Sequence, residues 1–195
     1  MCRTQYYCAA TLDGYIAEAD DSIDWLLGYE GSFDGEGAEP GPMTDGGAYE
    51  RFYDGVGALV SGSATYEFVL DHLGESGTWP YAGKPYWVLS SRDLAQPPGG
   101  DDVDVRVVDG SVRDLFDEMA GSAAGQNLWV VGGGNVASQF ADEGLLDELH
   151  LTVVPVVLGA GKPLFDRPLP GGPLQLTGTR AFETGMVELR YEIRR

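Results

Sequence analysis

Residues 128–140 read Leu-Trp-Val-Val-Gly-Gly-Gly-Asn-Val-Ala-Ser-Gln-Phe and carry the strongest chemical signal in the chain. A short apolar run ends in three glycines, after which Val136 and Phe140 fall at helical spacing. Asn135 is placed to cap that helix at its start, and Gly144 to close it at its end. Glycines between a strand and a helix permit a sharp turn and remove the Cβ atoms that would hold a ligand off the main chain. The helix start then presents unpaired N–H groups and a positive dipole end, which together suit a phosphate. A ligand-free strand–helix turn has the same look, so the motif alone leaves both readings open.

Composition narrows what such a site could serve. A chain of 195 residues, 43% hydrophobic and 11% aromatic, suits one domain with a real core and excludes a disordered chain. The formal net charge is −19, with Lys84 and Lys162 the only lysines. A nucleic-acid partner would need clustered Lys and Arg, and the chain has no such cluster. The acidic excess is spread along the chain as a solubilising surface charge, so an anionic ligand must be held by local backbone donors against a repulsive field. No apolar run is long enough to span a bilayer, and the N-terminus lacks the pattern of a secretory signal. Cys2 and Cys8, with His72 and His150, are too few for a disulfide framework or a zinc site. The expectation is a reduced, cytoplasmic protein with no metal, no membrane partner and a small-molecule ligand.

The elements that would position the site alternate between strand and helix. Strands are predicted at Tyr6–Leu12, Ala58–Ser61, Tyr86–Ser90, Val103–Val108, Leu128–Val131 and Leu149–Pro155. Helical spacing covers Tyr49–Val56, Thr65–Leu73 and a segment from Ser111 to Ala120, where Ser111 and Asp114 stand in a capping-box relation. Asp13-Gly14 marks a turn, Gln96–Asp102 a loop, and residues 28–48 a long Gly- and acid-rich loop. The tail from Leu174 to Ile193 alternates and turns around Glu183-Thr184-Gly185, the pattern of an antiparallel hairpin. The class is α/β, a mostly parallel central sheet with helices on both faces and an antiparallel C-terminal hairpin.

Four segments, in order and spanning nearly the whole chain, match a known pattern. They are Thr11-Leu12-Asp13-Gly14-Tyr15-Ile16-Ala17 followed by Asp24-Trp25-Leu26; Gly62-Ser63-Ala64-Thr65-Tyr66-Glu67; Val88-Leu89-Ser90-Ser91-Arg92; and Val130 to Val136 with Leu149-His150-Leu151-Thr152 and Leu158 to Phe165. The chain resembles the dihydrofolate-reductase-like superfamily, on the branch that includes the reductase domain of riboflavin biosynthesis. That resemblance implies a reduced nicotinamide cofactor, usually NADPH with NADH the alternative, across the C-terminal ends of the strands. By resemblance, Val131, Gly132, Gly133, Gly134, Asn135 and Val136 would hold its pyrophosphate and nicotinamide side. Gly62 and Thr65 would meet phosphate at a second helix start. Leu89, Ser90, Ser91 and Arg92 would surround the adenine ribose, and Ala9, Ile16 and Ala17 would line the nicotinamide. Taken without the family, Thr65 reads as a helix cap and Ser90-Ser91 as a strand-end turn.

The chain departs from the family where relatives often place a basic pair after the glycine, because it has Ser63 and Ala64 there. Arg92 is the substitute that could meet a 2′-phosphate, or else a solvated surface arginine. The implied chemistry is hydride transfer to a C=N or C=O bond of a small, heterocyclic substrate, pterin-like or 5-amino-6-ribosylaminouracil-like. Thr152 matches the family's pocket threonine. The accompanying helix carboxylate has three candidates, Asp45, Glu50 and Asp24. Trp25, Tyr49 and Phe52 could wall a flat ring or belong to the core, and Lys162 could neutralise a substrate anion or sit on a turn. The zinc-deaminase motifs often fused to the riboflavin enzyme, His-x-Glu and Pro-Cys-x-x-Cys, do not occur here. A reductase and a non-catalytic nucleotide-binding protein both fit this sequence, and relatives of this branch commonly form homodimers.

Overall fold

The computed structural model describes residues 2–29, 48–73, 77–182 and 184–194. Strand β6, Asn127–Gly132, shows why the central apolar run is continuous: Leu128 and Val130 enter one core, while Trp129 and Val131 enter another. A strand covered on both faces has no polar side to present. The first core joins β6 to Tyr6 of β1 (Thr4–Thr11) and to Met119 of α4 (Val112–Ser122) and Phe140 of α5 (Gly134–Asp142). The second gathers Leu59 of β3 (Val56–Gly62) and Tyr86 and Val88 of β4 (Tyr86–Leu89). Tyr66 of α3 (Ser63–Asp71) and Phe52 of α2 (Ala48–Asp54) cover it. Helices therefore lie on both faces, two to a side.

The main sheet has eight strands. Its order is β5 (Val105–Val108), β4, β3, β6, β1, β7 (Glu148–Val154), β10 (Val187–Glu192) and β9 (Gln175–Ala181). The strands from β5 to β7 pair in parallel, and β10 runs antiparallel to both β7 and β9. The C-terminal pair is the expected hairpin, closed by a hydrogen bond from Phe182 N–H to Met186 O at 2.9 Å and by Gly185 at φ +87°. A two-stranded sheet, β2 (Tyr15–Ala17) with β8 (Lys162–Pro163), pins the segment after β1 to the segment after β7. The short helix α1, Asp24–Leu27, follows β2.

Some local expectations change. Val56, expected at the end of the helix from Tyr49, instead opens β3, because α2 stops at Asp54. Helix α5 begins at Gly134, with Gly133 at the cap position and φ +89°, so Asn135 lies in the first turn and is not the cap. The turn needs a positive φ, which glycine adopts without a Cβ clash. Asn135 instead donates to Asp166 Oδ2 at 2.6 Å and accepts from Gln139 at 2.7 Å. The strand expected from Val103 begins at Val105, because Val103 N–H turns back onto Gly100 O. Ser111 caps α4 by accepting from Asp114 N–H at 3.1 Å, and Gly144 at φ +65° follows the end of α5. Most of the 28–48 stretch, with Asp45, lies outside the described residues. Among the described residues no helix is long and apolar enough to cross a membrane.

Candidate functional site

The C-terminal ends of β1 and β6 and the start of the helix that follows β3 open onto a cavity of about 430 Å³. This is the end of an open parallel sheet at which ligands generally bind, and the volume is that of a small-molecule pocket. Two helices start at its rim. Helix α3 follows β3 with Gly62 at its cap position, and α5 follows β6 with Gly133, and neither cap makes a side-chain hydrogen bond. Each first turn therefore keeps backbone N–H groups and a positive dipole end without a side-chain acceptor.

The three glycines divide by role. A Cβ on Gly132 would lie 2.9 Å from Thr65 Oγ1, and one on Gly134 would lie 2.4 Å from Pro163 O and 2.9 Å from Leu164 O. Those two residues are glycine so that β6 and α5 can close against their own neighbours. A Cβ on Gly133 would meet nothing nearer than Val136 Cγ2, at 3.8 Å, and that residue is held to glycine by its φ of +89°. The triplet thus answers chain packing as well as ligand approach, a division that sequence alone does not reveal.

Of the cofactor residues implied by resemblance, Ala9, Ile16, Ala17, Thr65, Val131, Gly132, Gly133, Gly134 and Asn135 line the cavity. Gly62, Leu89, Ser90, Ser91, Arg92 and Val136 are not in that lining. Gly62 and Leu89 are register partners at the ends of β3 and β4, so the serines and Arg92 sit one strand further out. Val136 is buried in the core. Arg92 is engaged by Glu67 of α3 through two hydrogen bonds, 3.1 and 2.6 Å, so a 2′-phosphate would have to compete with a carboxylate for it.

The lining also includes Tyr6, Cys8, Ile23, Leu26, Phe68 and Asp166, which the sequence did not mark as site residues. Phe68 stands one turn after Thr65 on α3, a spacing that could have found it; nothing local marks Asp166. Burial pulls the Asp166 carboxyl up, but hydrogen bonds from Asn135 and Ser138 and the charge of Arg167 outweigh it and hold the group below its ordinary range. Burial pushes the Cys8 thiol up to about 12. Lys162 is in the lining with its Nζ 3.5 Å from Asp21 Oδ1, so its charge is shared with an acid at the rim.

The substrate-side residues separate into two groups. Tyr49 and Phe52 of α2 pack with Trp129 and Tyr7, with Tyr7 and Phe52 stacked at 4.5 Å. Trp25 packs elsewhere, with Val154, Phe182, Met186 and Ala9. The three do not form one wall. Thr152 is 1% exposed and sits directly across from Ala9 in the β1–β7 register. Asp24 is exposed and lines a different, acidic groove with Asp20, Glu67 and Asp71. Glu50 is exposed on α2.

The family described as the RibD C-terminal domain matches residues 82–188, more than half of the chain. The chain belongs to the RibD C-terminal domain family. Along its full length it is similar to the uncharacterized protein YwjB of Bacillus subtilis (strain 168), 35% identical over 97% of both chains. Among solved structures it is similar to a Shewanella sp. PV-4 protein provisionally named for riboflavin biosynthesis. That pair is 26% identical, covers 99% of each chain and has a TM-score of 0.77. It also shares its fold with RibD of Acinetobacter baumannii, 16% identical with a TM-score of 0.63, covering 98% of this chain and 58% of that one. The RibD C-terminal domain family has the dihydrofolate-reductase-like fold, and the sheet order described above is this chain's version of it.

Proposed function

We propose that the protein is a nicotinamide-dependent reductase, with NADPH as its reductant, acting on a C=N or C=O bond of a small heterocyclic substrate. One observation carries this reading: two helix starts without side-chain caps, on the adjacent strands β3 and β6, flank one cavity at the C-terminal end of the sheet. Phosphates bind such paired N-termini through backbone N–H groups, which costs no basic side chain. The composition agrees, since a chain of net charge −19 has few cations to offer.

The residues present fit the group. A Cβ on Gly133 would have no neighbour nearer than 3.8 Å beside the α5 N-terminus, and Thr65 presents a hydroxyl at the α3 N-terminus. Ala9, Ile16 and Ala17 form a wall without charge, suited to a flat ring. When bound, the nicotinamide supplies hydride. The chain's own part is to hold two planar groups face to face on β1 and to keep water from between them.

The test is a fluorescence titration of the purified protein with NADPH and, separately, NADH at low and high salt. Micromolar or tighter NADPH binding is expected, strengthening as salt screens the negative field. The usual basic phosphate site behaves in the opposite way. Absence of binding by both nucleotides would refute the reading. Binding without turnover on any reducible heterocycle would favour the non-catalytic alternative.

A further inference from the structure

The pairing register aligns residues of four strands in one row. Ala9 of β1 stands opposite Thr152 of β7, Thr152 opposite Glu188 of β10, and Glu188 opposite Arg180 of β9. Directly opposed residues share a face of the sheet. Ala9 lines the cavity, and Glu188 lies two strands away, roughly 10 Å at the usual interstrand spacing. Thr152 and Glu188 continue this row from the cavity wall at Ala9; both are almost fully buried and neither is in the cavity lining.

Glu188 is an unusual residue in that place. Its side chain is 7% exposed, whereas the candidate carboxylates among the described residues, Asp24 and Glu50, are exposed. Arg190 balances the charge from one side, reaching Oε1 through Nε at 2.7 Å, while its own side chain is 49% exposed. The next row along the same face holds Tyr7 opposite His150 opposite Arg190, with Phe52 stacked on Tyr7. Beyond the row, towards the strand ends, Trp25 packs, as Ala9 does, against the cluster of Val154, Phe182 and Met186, and its buried indole N–H has no hydrogen-bond partner among the described residues. The row thus holds one hydroxyl (Thr152), the acceptor-only carboxylate of Glu188 and Arg180, and is flanked by the Tyr7–Phe52 pair on one side and by Trp25, with its buried, unpaired donor, on the other.

We propose that Glu188 anchors the substrate, accepting hydrogen bonds from an N–H-bearing edge of a flat ring whose other end lies over Ala9. This rests on the reductase reading above and assigns its substrate end. The resemblance to the folate branch implies a pocket carboxylate on a helix; here the role passes to the C-terminal hairpin. A buried carboxylate that already has a cation on one oxygen selects for donor groups and rejects rings that present only acceptors, because those would leave it without a partner.

The probe is 2,4-diaminopyrimidine, which presents paired N–H donors, with pyrimidine as the acceptor-only control. Each is titrated by calorimetry into the whole protein with and without NADPH. Wild type is expected to bind the diamino compound at least tenfold tighter than pyrimidine. Glu188→Gln is expected to weaken the diamino compound ten- to hundredfold, the range of a hydrogen bond to a charged group, and to leave the NADPH dissociation constant within twofold. If Glu188→Gln does not fold, Glu188→Asp keeps the charge beside Arg190 while withdrawing it, and should show the same selective loss. Equal binding of the two rings by wild type, no binding of either, or an unchanged diamino affinity in the folded variant overturns the assignment. Failure of NADPH to bind, with Glu188-dependent diaminopyrimidine binding intact, would refute the reductase reading and leave the anchor standing.

Discussion

Replacing Gly134 by alanine separates the packing role of the glycine triplet from any ligand role. The added Cβ would lie 2.4 Å from Pro163 O and 2.9 Å from Leu164 O, both backbone atoms that cannot rotate away. Relief requires the 163–164 segment to move outward by most of an ångström. That segment is held by the β2–β8 pairing, by Leu164 N–H donating to Gly14 O at 2.9 Å, and by Tyr6 OH donating to Leu164 O at 3.3 Å. Overpacking of this kind costs about 1–3 kcal/mol, and loosening two hydrogen bonds adds about 1 kcal/mol. The expected loss is therefore on the order of 2–4 kcal/mol. Urea unfolding followed by circular dichroism should show it as a lower midpoint with an unchanged slope, in the absence of any nucleotide. Gly144→Ala is the control, since its φ is +65° but nothing lies within 4 Å of the new Cβ. It should cost only the left-handed backbone strain, about 1 kcal/mol. If Gly134→Ala unfolds at the wild-type midpoint without nucleotide, the close approach is not what keeps this residue a glycine.

Two further outcomes follow from half-buried titratable groups. The hydrogen bond with His150, then those from Gln5 and Arg3, hold the Glu148 carboxyl down to about 2 against the opposing pull of burial. The folded value lies below the ordinary 4.5, so the ionised group stabilises the fold above that pH and the contribution fades as pH falls towards 2. Glu148→Gln should cost on the order of 3 kcal/mol at pH 7 and clearly less at pH 3.5 in urea melts; an equal cost at both would refute the linkage. Desolvation of the half-buried Cys8, which lines the cavity, keeps its thiol protonated, with its pKa at about 12. Native protein treated with iodoacetamide at pH 8 should leave Cys8 unmodified by peptide mass spectrometry, with labelling appearing in urea. Native labelling at the rate of a free thiol would contradict that environment.

Much of the fold was legible because its signals are local. The Leu128–Val131 run between turn residues announces a strand covered on both faces, Ser111 and Asp114 announce a helix start, and the alternation around Glu183-Thr184-Gly185 announces a hairpin. The glycine triplet likewise marked the strand–helix turn that opens onto the cavity. Other features depend on partners distant in sequence. Asn135 looked like a cap because caps are read from neighbours, but Gly133 takes the strained turn and Asp166 engages the asparagine side chain. Arg92 looked available until α3 brought Glu67 against it. Glu188 carries no local mark at all: in Val-Glu-Leu-Arg-Tyr-Glu it reads as the solvent side of an edge hairpin. The sequence alone determined most of the main strands and helices and where the glycine turn that opens onto the cavity lies, since propensity and periodicity act over a few residues. Only the tertiary structure decided that β10 docks beside β7 in the register that sets Glu188 opposite Thr152, because strand pairing is settled by the joint burial of faces that no single segment encodes.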